Sequence, residues 1–124
     1  MITEDYVSFE TAKLLKEKGF DEECVYVYRH DGSEDIWDAD KEDIACQKPT
    51  LQMAMKWLRE VHNLVIEPYR TACGYLYTIS SIPYGSTKYD NSEAYNGDDE
   101  DSGQWTTWEK ACEDGIEYCL KNLI

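Results

Sequence analysis

A broad apolar face runs along residues 49–63, PTLQMAMKWLREVHN, and predicts a helix that cannot be left in water. Pro49 and Thr50 mark its start. The apolar positions recur at helical steps of three and four residues, and Met53 and Trp57 widen the stripe. They are Leu51, Ala54, Met55, Leu58 and Val61. Because this face is so wide, we expect the helix to lie centrally and to pack on a sheet.

Two further helices and four strands are predicted around it. The first helix begins at Ser8 and ends at Gly19, where glycine can take the left-handed conformation and Phe20 can fold back. The last helix begins at Thr106, which forms a capping box with Glu109. Strands are predicted at residues 24–29, 35–38, 64–69 and 74–79, with a turn at 30–33. Pro68 indicates that the third strand lies at a sheet edge or contains a bulge.

This order, α-β-β-α-β-β-α, predicts an α+β fold with two layers. A mainly antiparallel, four-stranded sheet would carry about three helices on one face. The 124 residues suit one domain, and 42% hydrophobic residues suffice for a core. Residues 82–105, rich in Gly, Ser, Asn, Tyr and Asp, are expected to form a long acidic loop.

The net charge of -14 is concentrated in two short segments. Residues 31–43 hold seven acids and one lysine, and residues 90–103 hold six acids and no base. A negative field of this kind disfavours direct nucleic-acid binding, because phosphate contacts need Lys or Arg. The same argument disfavours anionic membranes. Any function that depends on negative charge is therefore expected at these two edges.

The long loop also carries aromatic residues among small polar ones, a composition that protein contact surfaces use. Packing of the loop on its own domain explains the same composition, so both interpretations stay open. The candidate interaction residues are Tyr84, Tyr89, Tyr95, Trp105, Asp98, Asp99, Glu100 and Asp101.

A calcium loop can be laid over residues 98–109, DDEDSGQWTTWE. Asp98, Glu100 and Ser102 fall on its first, third and fifth positions, and Glu109 falls on the twelfth, where a bidentate carboxylate belongs. Against calcium, no helix is evident before the loop, and the capping box already accounts for Glu109. A solvated acidic loop is the favoured interpretation and no cofactor is expected.

The cysteines and histidines indicate no catalytic or zinc site. Five cysteines, an odd number without a CxxC pair, suit reduced and mostly buried thiols. His30 falls in a predicted turn and His62 near a helix end, where turn geometry and capping explain them. The N-terminal residues do not resemble a signal peptide and no apolar run reaches membrane-spanning length, so a cytoplasmic location is expected.

Three stretches carry a resemblance: VSFETAKLLKEKGFD at 7–21, PTLQMAMKWLREVHN at 49–63 and WEKACEDGIEYCLKN at 108–122. Together they resemble a family of short proteins of unassigned activity, encoded by gut Bacteroidetes and by their phages and prophages. The resemblance implies a phage-like or mobile-element setting and no residue roles.

The sequence therefore predicts a non-enzymatic accessory protein with a protein partner. The sharper version of this hypothesis is mimicry of DNA, in which carboxylates stand in for phosphates on the basic surface of a host protein. The alternative is a small-ligand or calcium-binding domain that uses residues 98–109.

Overall fold

The computed structural model describes residues 1–72, 74–83, 85–90 and 105–124. Within these ranges the chain forms three α-helices and six strands, which confirms the predicted α+β class. The elements are, in chain order, α1 (Phe9–Glu17), β1 (Tyr26–Arg29), β2 (Glu34–Ile36), β3 (Ile44–Gln47), α2 (Leu51–His62), β4 (Leu64–Arg70), β5 (Tyr75–Ser81), β6 (Thr87–Asp90) and α3 (Trp108–Tyr118), which continues into a π-helical turn at Cys119–Leu123.

The ends of α1 and α2 follow the predicted signals. The Ser8 side chain accepts a hydrogen bond from Thr11 N, and the Thr50 side chain accepts one from Met53 N. At the end of α1, Gly19 takes φ +100°, and Phe20 N donates to the carbonyl oxygen of Leu15 at 2.9 Å. This is the left-handed glycine stop that the sequence predicts, because it satisfies carbonyls that the last turn leaves unpaired.

The capping box predicted for α3 is wrong by one residue. The N-cap is Thr107, whose side chain accepts a hydrogen bond from Lys110 N. The third helical position is therefore Lys110 rather than Glu109, and a lysine cannot accept the return hydrogen bond of a capping box. Glu109 lies instead in the first turn, where its charge suits the helix dipole.

The prediction of one four-stranded sheet is also wrong. The described strands form two three-stranded antiparallel sheets, ordered β2-β1-β3 and β4-β5-β6. Each predicted hairpin is present, and each gains a third strand, β3 or β6, that the sequence did not indicate. Of the two outcomes expected for the strand that contains Pro68, the structure shows the edge position, since β4 is an edge strand with no register shift against β5.

Both added strands are only four residues long, which explains why their patterns are weak. β3 has the sequence IACQ, with a single β-branched residue. β6 has the sequence TKYD and lies inside the stretch predicted as a loop, where it pairs with β5 across a register shift.

One core joins both sheets to all three helices. α1 packs on the first sheet, whereas α2 and α3 pack on the second and α3 also contacts α1. The cluster includes Leu15, Tyr28 and Leu58 together with Ile79 and Ile116. Cys24, Cys46, Cys112 and Cys119 are buried with free thiols, as predicted. None of the helices in the described ranges is long and apolar enough to cross a membrane.

Candidate functional site

The predicted contact loop is only partly within the described residues. Tyr84, Tyr95, Asp98, Asp99, Glu100 and Asp101 lie outside them. Tyr89 is half-buried and stacks on Tyr118, with ring centroids 3.8 Å apart. Trp105 is also half-buried, and its backbone forms an isolated antiparallel β-bridge with Tyr75. Both rings pack against the core. These two side chains therefore hold the ends of the loop on the domain, and the wider contact surface stays a prediction.

The predicted calcium ligands Asp98, Glu100 and Ser102 also lie outside the described residues. Glu109, the fourth, is exposed on the first turn of α3. Among the described residues no group of three or more His, Cys, Asp or Glu side chains is placed to hold a metal ion.

The first acidic segment is fully described, and several of its carboxylates already have partners. Asp31 accepts hydrogen bonds from the backbone N–H and the hydroxyl of Ser33, which lowers its pKa. Arg29 pairs with Asp35 at 2.8 Å and with Asp43 at 3.5 Å. Lys48, from the end of β3, pairs with Glu34. The two hydrogen bonds and three ion pairs hold the hairpin in place, and the ion pairs neutralise part of its charge.

The outer face of the first sheet, which points away from α1, carries the most distinctive surface. Alternation along β1 places Tyr28 on the inner face and Val27 on the outer one. Val27 is nevertheless only 1% exposed and lies outside the main core cluster. The outer face is therefore covered locally at Val27.

An open cleft of about 870 Å³ lies between the segment connecting β2 to β3 and the sheet. Its walls come from the residues before β1, the segment after β2, and β3. The lining residues are Glu23, Cys24, Val25, Trp37, Asp38, Ala39, Lys41, Ile44 and Gln47. The volume falls in the range of ligand pockets, and most of the lining is apolar. We call it the Trp37 cleft.

Trp37 is held at the mouth of the cleft by the backbone. Its N–H donates to the carbonyl oxygen of Val25 at 2.9 Å, which extends the ladder between β1 and β2 by one residue. The Trp37 side chain is nevertheless 69% exposed, and Val25 is 64% exposed. A fixed backbone that presents a large aromatic ring to water is typical of contact sites, because the ring needs little ordering on binding.

The opposite wall is fixed by hydrogen bonds. Gln47 Oε1 accepts from the backbone N–H of Cys24 at 2.9 Å, and the Cys24 sulfur lies 3.8 Å from the sulfur of Met53. Burial raises the pKa of the Cys24 thiol to about 11, so the thiol stays protonated at neutral pH. A protonated, buried thiol acts as a small apolar side chain rather than as a nucleophile.

The charges at the cleft are mostly negative and lack partners. Glu23 and Asp38 line it opposite the single base Lys41. Among the ion pairs of the described residues, none involves Glu23, Asp38 or Lys41, and none involves the neighbouring Glu42. The site therefore combines an apolar floor, an exposed indole and a negative rim.

No family model, no curated protein and no solved structure matches this chain. The resemblance to phage and prophage proteins thus stays a prediction, and the surface chemistry is the remaining guide to function.

The two histidines lie away from the cleft. His62 packs its ring on Trp57, with centroids 4.7 Å apart, and its Nε2 is buried without a hydrogen-bond partner. His30 is on the hairpin turn, where its Nε2 is 3.0 Å from the carbonyl oxygen of Glu42. Neither histidine has a Ser or Cys nucleophile as a described hydrogen-bond partner.

Sequence reasoning predicted an acidic hairpin as a candidate edge but did not single out the exposed side chains of Trp37 and Val25. Residues 35–38 were predicted only as a strand. The available signal was the stretch DIWDAD at 35–40. Its tryptophan stands between acids, and no large apolar residue lies two, three or four positions away within the stretch to share a strand or helix face with it. Such a tryptophan has no apolar face to join, so exposure is its expected state.

A partly buried hydrogen-bonded pair joins β5 of the second sheet to α3. The Tyr77 hydroxyl donates to Asp114 Oδ2 at 2.5 Å. Burial raises the pKa of Asp114, and Glu117 and Glu113 add to this effect, whereas Tyr77 and Lys121 oppose it. Burial, followed by the Asp114 hydrogen bond and charge, also raises the pKa of Tyr77.

We expect Asp114→Asn to flatten the pH dependence of stability. The pKa of Asp114 in the folded protein lies above its ordinary value of 3.8, so the folded protein holds this proton more tightly than the unfolded chain does. The contribution of Asp114 to the free energy of unfolding is therefore highest below pH 3.8 and falls as the pH rises through the folded pKa. Asparagine keeps an acceptor for Tyr77 and carries no charge. Urea unfolding measures the free energy of unfolding of both proteins. The value for Asp114→Asn minus the value for the wild type should become more positive from pH 3 to pH 7.

The matched control is Asp40→Asn, at an exposed carboxylate of the connecting segment. It should change the free energy of unfolding by less than about 0.5 kcal/mol at either pH. If Asp114→Asn loses more stability at pH 7 than at pH 3, the assigned direction of the Asp114 pKa is wrong.

Proposed function

We propose that this chain is a non-enzymatic interaction domain, of the phage or mobile-element type, that binds a protein partner through the Trp37 cleft. The observation that carries the proposal is the exposed Trp37 ring over an apolar cleft with unpaired carboxylates at its rim. Interfaces concentrate their binding energy in aromatic anchors beside apolar pockets. The partner is therefore expected to present apolar side chains together with positive charge.

Mimicry of DNA is a narrower form of the same proposal. It needs a row of unpaired carboxylates that can replace phosphates. In the first acidic segment, Asp35 and Asp43 are committed to Arg29, and Glu34 is committed to Lys48. The apolar cleft therefore supports an anchored protein contact better than it supports a phosphate-like array.

The test is a selection from a random 12-residue peptide library by mRNA display. The full chain is immobilised as the bait. The number of copies of each peptide recovered on it is compared with the number recovered on immobilised Trp37→Ala protein. We expect enriched peptides that carry net positive charge and that lose at least about tenfold in affinity on Trp37→Ala, equivalent to about 1.4 kcal/mol. Because Trp37 is so exposed, the substitution should leave stability within about 0.5 kcal/mol of wild type.

Val61→Ala is the matched control, since Val61 is an exposed apolar side chain on α2. It should leave peptide affinity unchanged. The proposal is overturned if no peptide is enriched, or if the enriched peptides bind the Trp37→Ala protein as tightly as the wild type.

A further inference from the structure

We propose that the Trp37 cleft recognises arginine, and that its occupant is a protein segment in which an arginine side chain lies on the Trp37 ring and bonds to the carboxylates of the rim. This inference rests on the proposed function, since it names the chemistry of the partner that the same site binds.

The first step concerns the ring. Trp37 presents its indole to water at the mouth of the cleft, and tryptophan is the best aromatic partner for a cation. The cations of this neighbourhood do not occupy it. The described lysines and arginines placed over aromatic rings are Lys13 on Phe9, Lys48 on three tyrosines, and Arg70 on Tyr75. The Trp37 face is thus open to a cation from a partner.

The second step concerns the rim. Asp38 follows Trp37 directly, and Glu23 also lines the cleft. Glu22, Asp40 and Glu42 add exposed charge nearby, against Lys41 alone. This excess of carboxylate complements a positive side chain that enters over Trp37, and it attracts a basic segment from a distance.

The third step distinguishes arginine from lysine. A guanidinium is planar, so it can stack on an indole while its edge donates two parallel hydrogen bonds to a carboxylate. It is also more weakly hydrated than an ammonium group, which suits a cleft lined by the apolar side chains of Val25, Ala39 and Ile44. A lysine would keep most of its water and satisfy only the charge.

The fourth step concerns size. A cleft of about 870 Å³ is larger than one guanidinium side chain requires. Neighbouring apolar side chains of the segment can therefore fill the floor beside the arginine. The recognised unit is a short segment with arginine next to apolar residues, rather than a free amino acid or a uniformly basic tail.

The test uses the tightest peptide from the selection and two synthetic versions of it, one with every arginine changed to lysine and one with every arginine changed to citrulline. Citrulline keeps the planar shape without the charge. Isothermal titration calorimetry with the full chain should show at least about fivefold weaker binding for the lysine peptide and at least about twentyfold weaker binding for the citrulline peptide.

Asp38→Asn supplies the second readout, with Glu60→Gln on α2 as its control. Asp38→Asn should weaken the binding of the arginine peptide at least about threefold, and it should reduce the ratio of the affinities for the arginine and lysine peptides. Glu60→Gln should change neither the affinity nor the ratio. Equal affinity for arginine and lysine peptides, with Trp37→Ala still weakening both, overturns this inference and leaves the proposed function standing. Binding that is insensitive to Trp37→Ala overturns both.

Discussion

Gly115→Val should lower the free energy of unfolding by about 3 kcal/mol, since it forces a branched side chain into a filled core. Gly115 lies in α3 against the second sheet. A Cβ at this position would be 2.7 Å from Cγ2 of Ile66 and 3.4 Å from Cδ2 of Tyr77. Ile66 and Tyr77 are both buried and cannot retreat freely. The helix propensity gained on replacing glycine is below about 1 kcal/mol and does not offset this clash.

Chemical denaturation measures the effect, and two further variants isolate its cause. Lys110→Val, on the exposed face of α3, should cost only about 0.5 kcal/mol, the ordinary penalty of a β-branched residue in a helix. Combining Gly115→Val with Ile66→Ala, which removes the clashing methyl, should cost at least about 1 kcal/mol less than the sum of the two single changes. Simple additivity would contradict a direct clash between these residues.

Lys48→Ala should be the second largest loss, about 2–3 kcal/mol. The Lys48 Nζ lies 5.0 Å, 6.0 Å and 5.3 Å from the ring centres of Tyr6, Tyr26 and Tyr28, and it pairs with Glu34. Its side chain is only 14% exposed. The ammonium–ring attraction and the burial of the aliphatic stem both vanish in alanine. Tyr28 also donates to the carbonyl oxygen of Val7 at 2.5 Å, so the N-terminal segment shares this cluster.

Urea unfolding again provides the measurement. Lys48→Met keeps the stem without the charge and should recover part of the loss, about 1 kcal/mol. Lys56→Ala, an exposed lysine with a weak ion pair to Glu60, is the control and should cost less than about 0.5 kcal/mol. A Lys48→Ala loss as small as that of Lys56→Ala would mean that the aromatic cluster does not depend on its lysine.

The elements that the sequence predicted well are those whose signals are local. The cap at Ser8 and the stop at Gly19 depend on residues within one or two turns, and both are confirmed. The predicted stripe of α2 is confirmed where its residues are buried, at Leu51, Ala54, Met55, Trp57 and Leu58. It is wrong at Met53 and Val61, whose side chains are exposed. The N-cap of α3 was misplaced because Thr106 and Thr107 are adjacent and equally suitable. Only the backbone geometry of Thr107 decides between them.

The division of the strands into two sheets could not be predicted from the sequence patterns of the single strands. A strand's periodicity shows which of its residues share a face but not which strand it pairs with. β3 and β6 are short and pair through contacts with strands some distance along the chain, so each sheet gains a third strand that local propensity does not indicate.

The same limit explains why the candidate site was only half foreseen. Charge counting located the acidic hairpin, because charge is a property of sequence alone. The cleft depends on where the segment after β2 runs relative to the sheet, and on Gln47 reaching the backbone of Cys24. Those are tertiary facts, so Trp37 became a candidate only once its neighbours in space were known.

The central claim is that a partner binds at the Trp37 cleft, and NMR titration tests it most directly. The indole N–H resonance of Trp37, assigned by its disappearance in Trp37→Phe, is followed together with the backbone amides as the selected arginine peptide is added. We predict that this resonance and the amides of residues 23–25 and 37–41 shift together and saturate, while those of Lys56 and Glu60 on α2 stay fixed. Shifts that saturate elsewhere on the domain, with the Trp37 indole unmoved, would contradict the account.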